Sequence, residues 1–176
     1  MKPLLCVVGV SISLLLLISI PAKAVEKNDL AGHWVLPDGS AIVHIEASPE
    51  GLLEGRVIGL LRPQFSVVDN YGKIGEPRLD LKNSKKSARD RPILGMEITS
   101  ELRFEDNIWK GKIYDPRSGS SYRCVINLEG EEFARVRGYI GFSMIGRTMH
   151  WQRLESFRSQ MFEMLGDKNS TRPIKN

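Results

Sequence analysis

His33, His44 and His150 are the chain's three imidazoles. None has a second ligand at the short spacing that a metal site requires. His44 and His150 fall opposite the apolar residues of their segments, on a wet face, which argues against an inward haem ligand. Ser118, Ser120 and Ser121 flank a turn but lack the glycine pattern of a nucleophile elbow. Asp69, Asn70, Asp80 and Asn83 offer the oxygens that calcium takes, but not at the spacing of a calcium loop. Asp115 stands two residues before Arg117 and is better explained as a turn former than as half of an ion pair. Arg91, next to Pro92, either anchors a loop by pairing with a carboxylate or meets a ligand carboxylate. These groups converge in no catalytic motif, so the sequence speaks against an enzyme and implies neither cofactor nor metal.

The elements that must position these side chains are strands. Residues Ile108 to Arg123 read I-W-K-G-K-I-Y-D-P-R-S-G-S-S-Y-R. Trp109, Gly111 and Ile113 alternate with Lys110 and Lys112, and Tyr122, Cys124 and Ile126 alternate with Arg123 and Asn127. That period of two means one buried and one wet face. Asp115-Pro116-Arg117-Ser118-Gly119 supplies turn chemistry between the two strands. The same pattern predicts eight strands, at 33–36, 41–47, 52–61, 93–104, 108–115, 120–128, 132–138 and 147–153. Short, even spacing points to an all-β, up-and-down antiparallel sandwich or closed barrel in residues 25–153. One long polar connection, Arg62 to Pro92, interrupts it; such connections are usually lids or mobile inserts. Residues 154–176 are expected to form a short amphipathic helix carrying Leu154, Phe157, Met161 and Leu165, and then a disordered tail from Asp167.

Met1 to Ala24 has the form of an export leader. Lys2 precedes the apolar run Leu4–Ile20, Pro21 ends it, and Ala22-Lys23-Ala24 presents small residues for cleavage after Ala24. Cys6 lies at the start of the run and is badly placed for lipidation. The product is expected to begin at Val25, without a stable membrane anchor, and to be periplasmic or secreted. Cleavage removes one of the two cysteines, so Cys124 is left as a core thiol with no intramolecular partner. The formal net charge of +4 shrinks when Lys2 and Lys23 leave. A nucleic-acid partner is not indicated: Lys82, Lys85, Lys86, Arg89 and Arg91 form one basic cluster without interleaved aromatics. That cluster is either a solvated loop or a contact for anionic lipid.

Gly32-His33-Trp34 opens the first strand and Trp151-Gln152-Arg153 closes the last. In a closed barrel these strands are neighbours. Trp34 should then stack with Arg147 or Arg153, while Trp151 packs beside them. Lipocalins use a similar pairing of a Gly-x-Trp with a late arginine.

Further runs carry a closer resemblance: G-H-W at Gly32, D-G at Asp38, G-R-V at Gly55, R-P-I-L-G at Arg91, W-K-G-K-I-Y-D-P-R-S-G-S-S-Y at Trp109, V-R-G-Y-I-G at Val136 and G-R-T-M-H-W-Q-R at Gly146. In this order they resemble a family of small exported bacterial proteins known as domain of unknown function 2147. The resemblance spans Leu30 to Arg153 and implies a calycin or lipocalin-like barrel. It brings no activity and no catalytic residues. Many members carry two cysteines around the second turn, apparently a local disulfide; the corresponding segment here, Glu46 to Gly55, has none.

Two functions fit. In the first, the barrel binds a small hydrophobic or amphipathic ligand, or a lipid, between Val43, Val57, Trp109, Ile113, Tyr122, Ile126 and Met149. These are residues of the apolar faces, and Arg91 or Tyr122 would meet the ligand's polar end. In the second, the barrel is filled solid and serves as a structural or interaction module of the envelope. The apolar connection with Tyr139, Ile140, Phe142, Met144 and Ile145 is then a lid, a dimer patch or an end cap.

Overall fold

The computed structural model describes residues 24–141 and 145–170, with side chains in the last helix as far as Leu165. The leader cleavage, Phe142, Met144 and the end of the tail lie outside those residues. Eight antiparallel strands run in chain order round a closed barrel: β1 (Gly32–Val35), β2 (Ala41–Ala47), β3 (Leu53–Leu60), β4 (Glu97–Glu105), β5 (Ile108–Asp115), β6 (Ser120–Glu129), β7 (Phe133–Tyr139) and β8 (Gly146–Arg153). The seam is the short pairing of β1 with β8, in which Trp34 faces Arg153 and Val35 faces Gln152. The period-two alternation is realised: on β2, Ala41, Val43 and Ile45 are buried while Ile42 and His44 are not.

Two glycines of the most distinctive sequence run are needed for close approach. β4 carries a register shift between Ser100 and Arg103, with Glu101 at a φ of 55°. The bulged backbone leans onto β5 at Gly111, where a Cβ would lie 2.6 Å from the Ser100 carbonyl oxygen. Gly119, at a φ of 69°, ends the β5–β6 turn, and a Cβ there would collide with the Lys82 carbonyl. The D-P-R-S-G turn is therefore also the seat on which the long insert rests.

The barrel interior has two levels. At the end where β1 begins and β8 finishes it is solid: Leu30, Trp34, Val43, Ile45, Leu53, Leu102, Trp109, Ile126 and Val136 are all fully buried. Trp34 donates its indole N–H to the Leu30 carbonyl at 2.9 Å and Trp109 donates to the Lys27 carbonyl at 3.0 Å, so the segment before β1 seals this end. At the other level the inward positions are smaller, including Ala41, Val57 and Gly138, and space remains.

The insert between β3 and β4 is tied down by two carboxylates. Asp69 accepts two hydrogen bonds of 2.9 Å from Arg78 and a backbone N–H from Ser66. Asp80, wholly buried, accepts from the Tyr114 hydroxyl at 2.7 Å, from Asn83 at 2.6 Å and from Arg91 at 3.1 Å. A buried carboxylate needs such a full set of donors. The insert is thus fastened to β5 through Tyr114, and Phe65 is buried within it. Its polar composition reads as a lid or a mobile insert in sequence; Asp69, Arg78, Asp80, Asn83 and Arg91 are instead spent on bonds that hold it.

The final helix, α1 (Leu154–Ser170), follows β8 directly. It continues past Asp167, where the sequence suggests disorder. Leu154 and Phe157 are part-buried, but Met161 and Leu165 are 42% and 55% exposed, so the expected apolar stripe packs only over its first turns.

Candidate functional site

The smaller inward residues leave a cavity of about 800 Å³ open at the end of the barrel where the long insert sits. That lies within the ~300–1,000 Å³ range of small-molecule sites. Its walls are Ala41 on β2, Val57 on β3, Ile98 on β4, Ile113 on β5, Tyr122 on β6, and Met149 and Trp151 on β8. The insert supplies Phe65, Tyr71, Leu79 and Leu81, and the β7–β8 connection supplies Ile140 and Ile145. Residues of all four connections at this end of the barrel stand round the opening, among them Asp38, Arg62, Arg78, Lys82 and Arg117, with Arg147 of β8 beside them.

The residues expected to line a ligand site divide between the two levels. Val57, Ile113, Tyr122 and Met149 face the cavity. Val43, Trp109 and Ile126 do not; they belong to the solid level, where Trp109 also packs on Phe104 at a ring distance of 4.9 Å. Alternation assigns a residue to the inside but carries no information about height along the barrel axis, which is why the seven read alike in sequence. Arg91 is a correction of a different kind. It does not line the cavity and is bonded to Asp80, so it fastens the insert. Arg153, not Arg147, stacks on Trp34; Arg147 begins β8 at the opposite, open end.

Trp151 shares a face of β8 with Met149 and is expected at the barrel closure, but it also belongs to this site. It is buried and lines the cavity, and its indole N–H has no acceptor among the described residues. The other two tryptophans spend theirs on main-chain carbonyls at the sealed end. Tyr122 donates its hydroxyl to Ser118 at 3.0 Å on the rim. Tyr114, beside the cavity, has its pKa pushed up to about 12, by burial first and then by its bond to the Asp80 carboxylate. Burial likewise raises the Cys124 thiol to about 12, as expected of a core thiol rather than a reactive one. The histidines stand elsewhere: His33 and His44 stack at 4.6 Å, and His150 lies 3.5 Å from Glu129.

An up-and-down barrel of eight strands, sealed by a tryptophan–arginine pair and hollow at the other end, defines a lipocalin-like protein. The chain belongs to the family described as "Uncharacterized protein conserved in bacteria (DUF2147)", which matches residues 32–153. Among solved structures it is similar to protein HP1028 from the human pathogen Helicobacter pylori, described as belonging to the lipocalin family. The TM-score is 0.58 at 19% identity, over 74% of this chain and 87% of that one. At that identity the likeness is one of fold. None of the curated proteins matches the chain.

Proposed function

We propose that this protein is an exported binding protein that carries a small hydrophobic or amphipathic molecule in the hollow level of its barrel. The observation that carries the reading is the cavity of about 800 Å³ with aliphatic and aromatic walls. An apolar tail leaves water there, and a polar end stays at the open rim. The leader-like Met1–Ala24 supports export to the periplasm or beyond. A filled structural barrel accounts for the sealed level but gives no reason for the hollow one. Among the described residues no nucleophile, base and orienting group stand together on the cavity wall.

The test is native mass spectrometry of protein purified from the exporting cell, together with a thermal shift series across fatty acids, lysolipids and hydrophobic dyes. A co-purified small molecule, or a melting temperature that rises with probe concentration, is the expected result. A protein that carries nothing and shifts with no probe is a structural module instead. N-terminal sequencing of the exported product should begin at Val25; retention of the apolar run in the membrane fraction would reverse the assignment of compartment.

A further inference from the structure

Five cations stand at the cavity rim, and two of them are neutralised locally. Arg78 is bonded to Asp69 at 2.9 Å and Arg117 to Asp38 at 2.8 Å. Arg62, Lys82 and Arg147 line the same cavity, and among the described residues none of the three has a carboxylate partner. The remaining rim acid, Asp115, is turned to its own loop, accepting the backbone N–H of Arg117 at 2.9 Å. On the outer wall Arg56, Lys110 and Lys112 pair with Glu97, Glu105 and Glu101.

The backbone of each of these three cations is held in place, and no carboxylate among the described residues neutralises its charge. The Arg62 carbonyl accepts from Arg78 at 2.7 Å. Lys82 is seated against Gly119, and its ammonium lies over the Tyr71 ring at 5.0 Å. Arg147 pairs with Gly138 in the β7–β8 ladder. Cations at the edge of an apolar cavity attract an anion more strongly than the same charges in open water, because the low-dielectric wall focuses their field.

We infer that the cavity takes its ligand tail first and reads a negatively charged head, a carboxylate or a phosphate, with Arg62, Lys82 and Arg147. This rests on the binding function proposed above and adds the sign of the head group. A neutral or cationic amphiphile would leave the three charges unanswered, whereas an anion gains charge-assisted bonds with them.

The experiment compares four probes with one tail: dodecanoate, dodecyl phosphate, dodecan-1-ol and dodecyltrimethylammonium. Both anions should bind roughly tenfold or more tightly than the alcohol, with the preference shrinking as salt rises. The triple variant Arg62→Gln, Lys82→Gln and Arg147→Gln, checked for an unchanged far-UV spectrum and melting temperature, should lose the preference and keep its affinity for dodecan-1-ol. Equal binding of anions and alcohol overturns the inference and leaves the binding function standing. So does a triple variant that still prefers anions. Binding of none of the four overturns both. Flotation with phosphatidylglycerol vesicles separates the remaining source of anions. If the triple variant loses only vesicle binding, the cations serve a bilayer surface and the head-group inference fails.

Discussion

The guanidinium of Arg153 lies 4.4 Å from the centre of the Trp34 ring, and the same two residues face each other across the β1–β8 seam. Arg153 donates from Nε to the Glu131 carbonyl at 2.8 Å, and from its terminal nitrogens to Ala31 and Asp29 at 3.1 and 2.8 Å. One side chain thus covers the indole and satisfies three main-chain carbonyls, two just before β1 and one in the β6–β7 turn. A planar fork does this where an ammonium cannot. Strand pairing at the seam is short, so this cluster carries much of the closure.

Trp34→Ala should therefore cost ~3–5 kcal/mol, the loss expected for a fully buried aromatic. Arg153→Lys should cost ~1–3 kcal/mol, because carbonyls lose their donors and the stacked plane is gone. Denaturant titration of both variants checks this. Arg147→Lys, at the open rim, should leave stability unchanged; an equal loss there would mean the seam is not where closure is decided.

How much of this was legible beforehand follows from what each signal encodes. Alternation on β2, β5 and β6 is a local property, and it placed those strands almost to the residue. Trp34 and Arg153 were readable as partners because a closed barrel makes its first and last strands neighbours. The division of the interior into sealed and hollow levels was not readable. Val43 and Val57 are the same residue type and direct partners across β2 and β3, yet only Val57 meets the cavity; Val43 has Trp34 as its partner on the other side, and nothing local says which neighbour's bulk will fill the space before it. The role of Arg91 was equally hidden. Its carboxylate partner, Asp80, was visible as a residue, but nothing local says that the two meet beneath Tyr114.

Tyr114 gives the insert's fastening an alkaline signature. Its pKa is raised from 10.0 to about 12, so between those values the folded protein holds a proton that the unfolded chain has lost. The associated stability is complete below pH 10 and drains away as pH rises towards 12. Spectrophotometric titration should show one of the four tyrosines ionising late. Tyr114→Phe should delete that late step and increase proteolysis within residues 62–92. A late step that survives the substitution would assign it to another tyrosine.

Cys124 should behave as a buried apolar side chain. It is 1% exposed, and burial raises its thiol pKa from 9.0 to about 12. At pH 8 the native protein should not react with a disulfide reagent, and full reaction should appear only in denaturant. Because the folded pKa is raised, the thiol's contribution to stability is intact below pH 9 and is lost as pH climbs towards 12. Cys124→Ala should destabilise the barrel, while Cys124→Ser costs more by burying an unpaired hydroxyl. Rapid native labelling would show that this level of the barrel opens.

The tryptophans provide the most direct reading of where a ligand sits. Trp151 lines the cavity with an unpaired N–H, whereas Trp109 is bonded at the sealed end. A bound amphiphile should change the emission of Trp151 and leave Trp109 indifferent. Trp109→Phe should keep the fluorescence response, and Trp151→Phe should abolish it while the ligand still raises the melting temperature. Occupancy can be blocked independently. Val57 points into the hollow level, so Val57→Phe fills space there and should remove both the fluorescence response and the thermal shift without unfolding the barrel. Ile126 sits in the solid level at 0% exposure. Ile126→Phe should instead overpack the core by ~1–3 kcal/mol and leave binding affinity unaltered in the folded fraction. If Ile126→Phe blocks binding and Val57→Phe does not, the ligand enters from the sealed end and the two levels have been assigned the wrong way round.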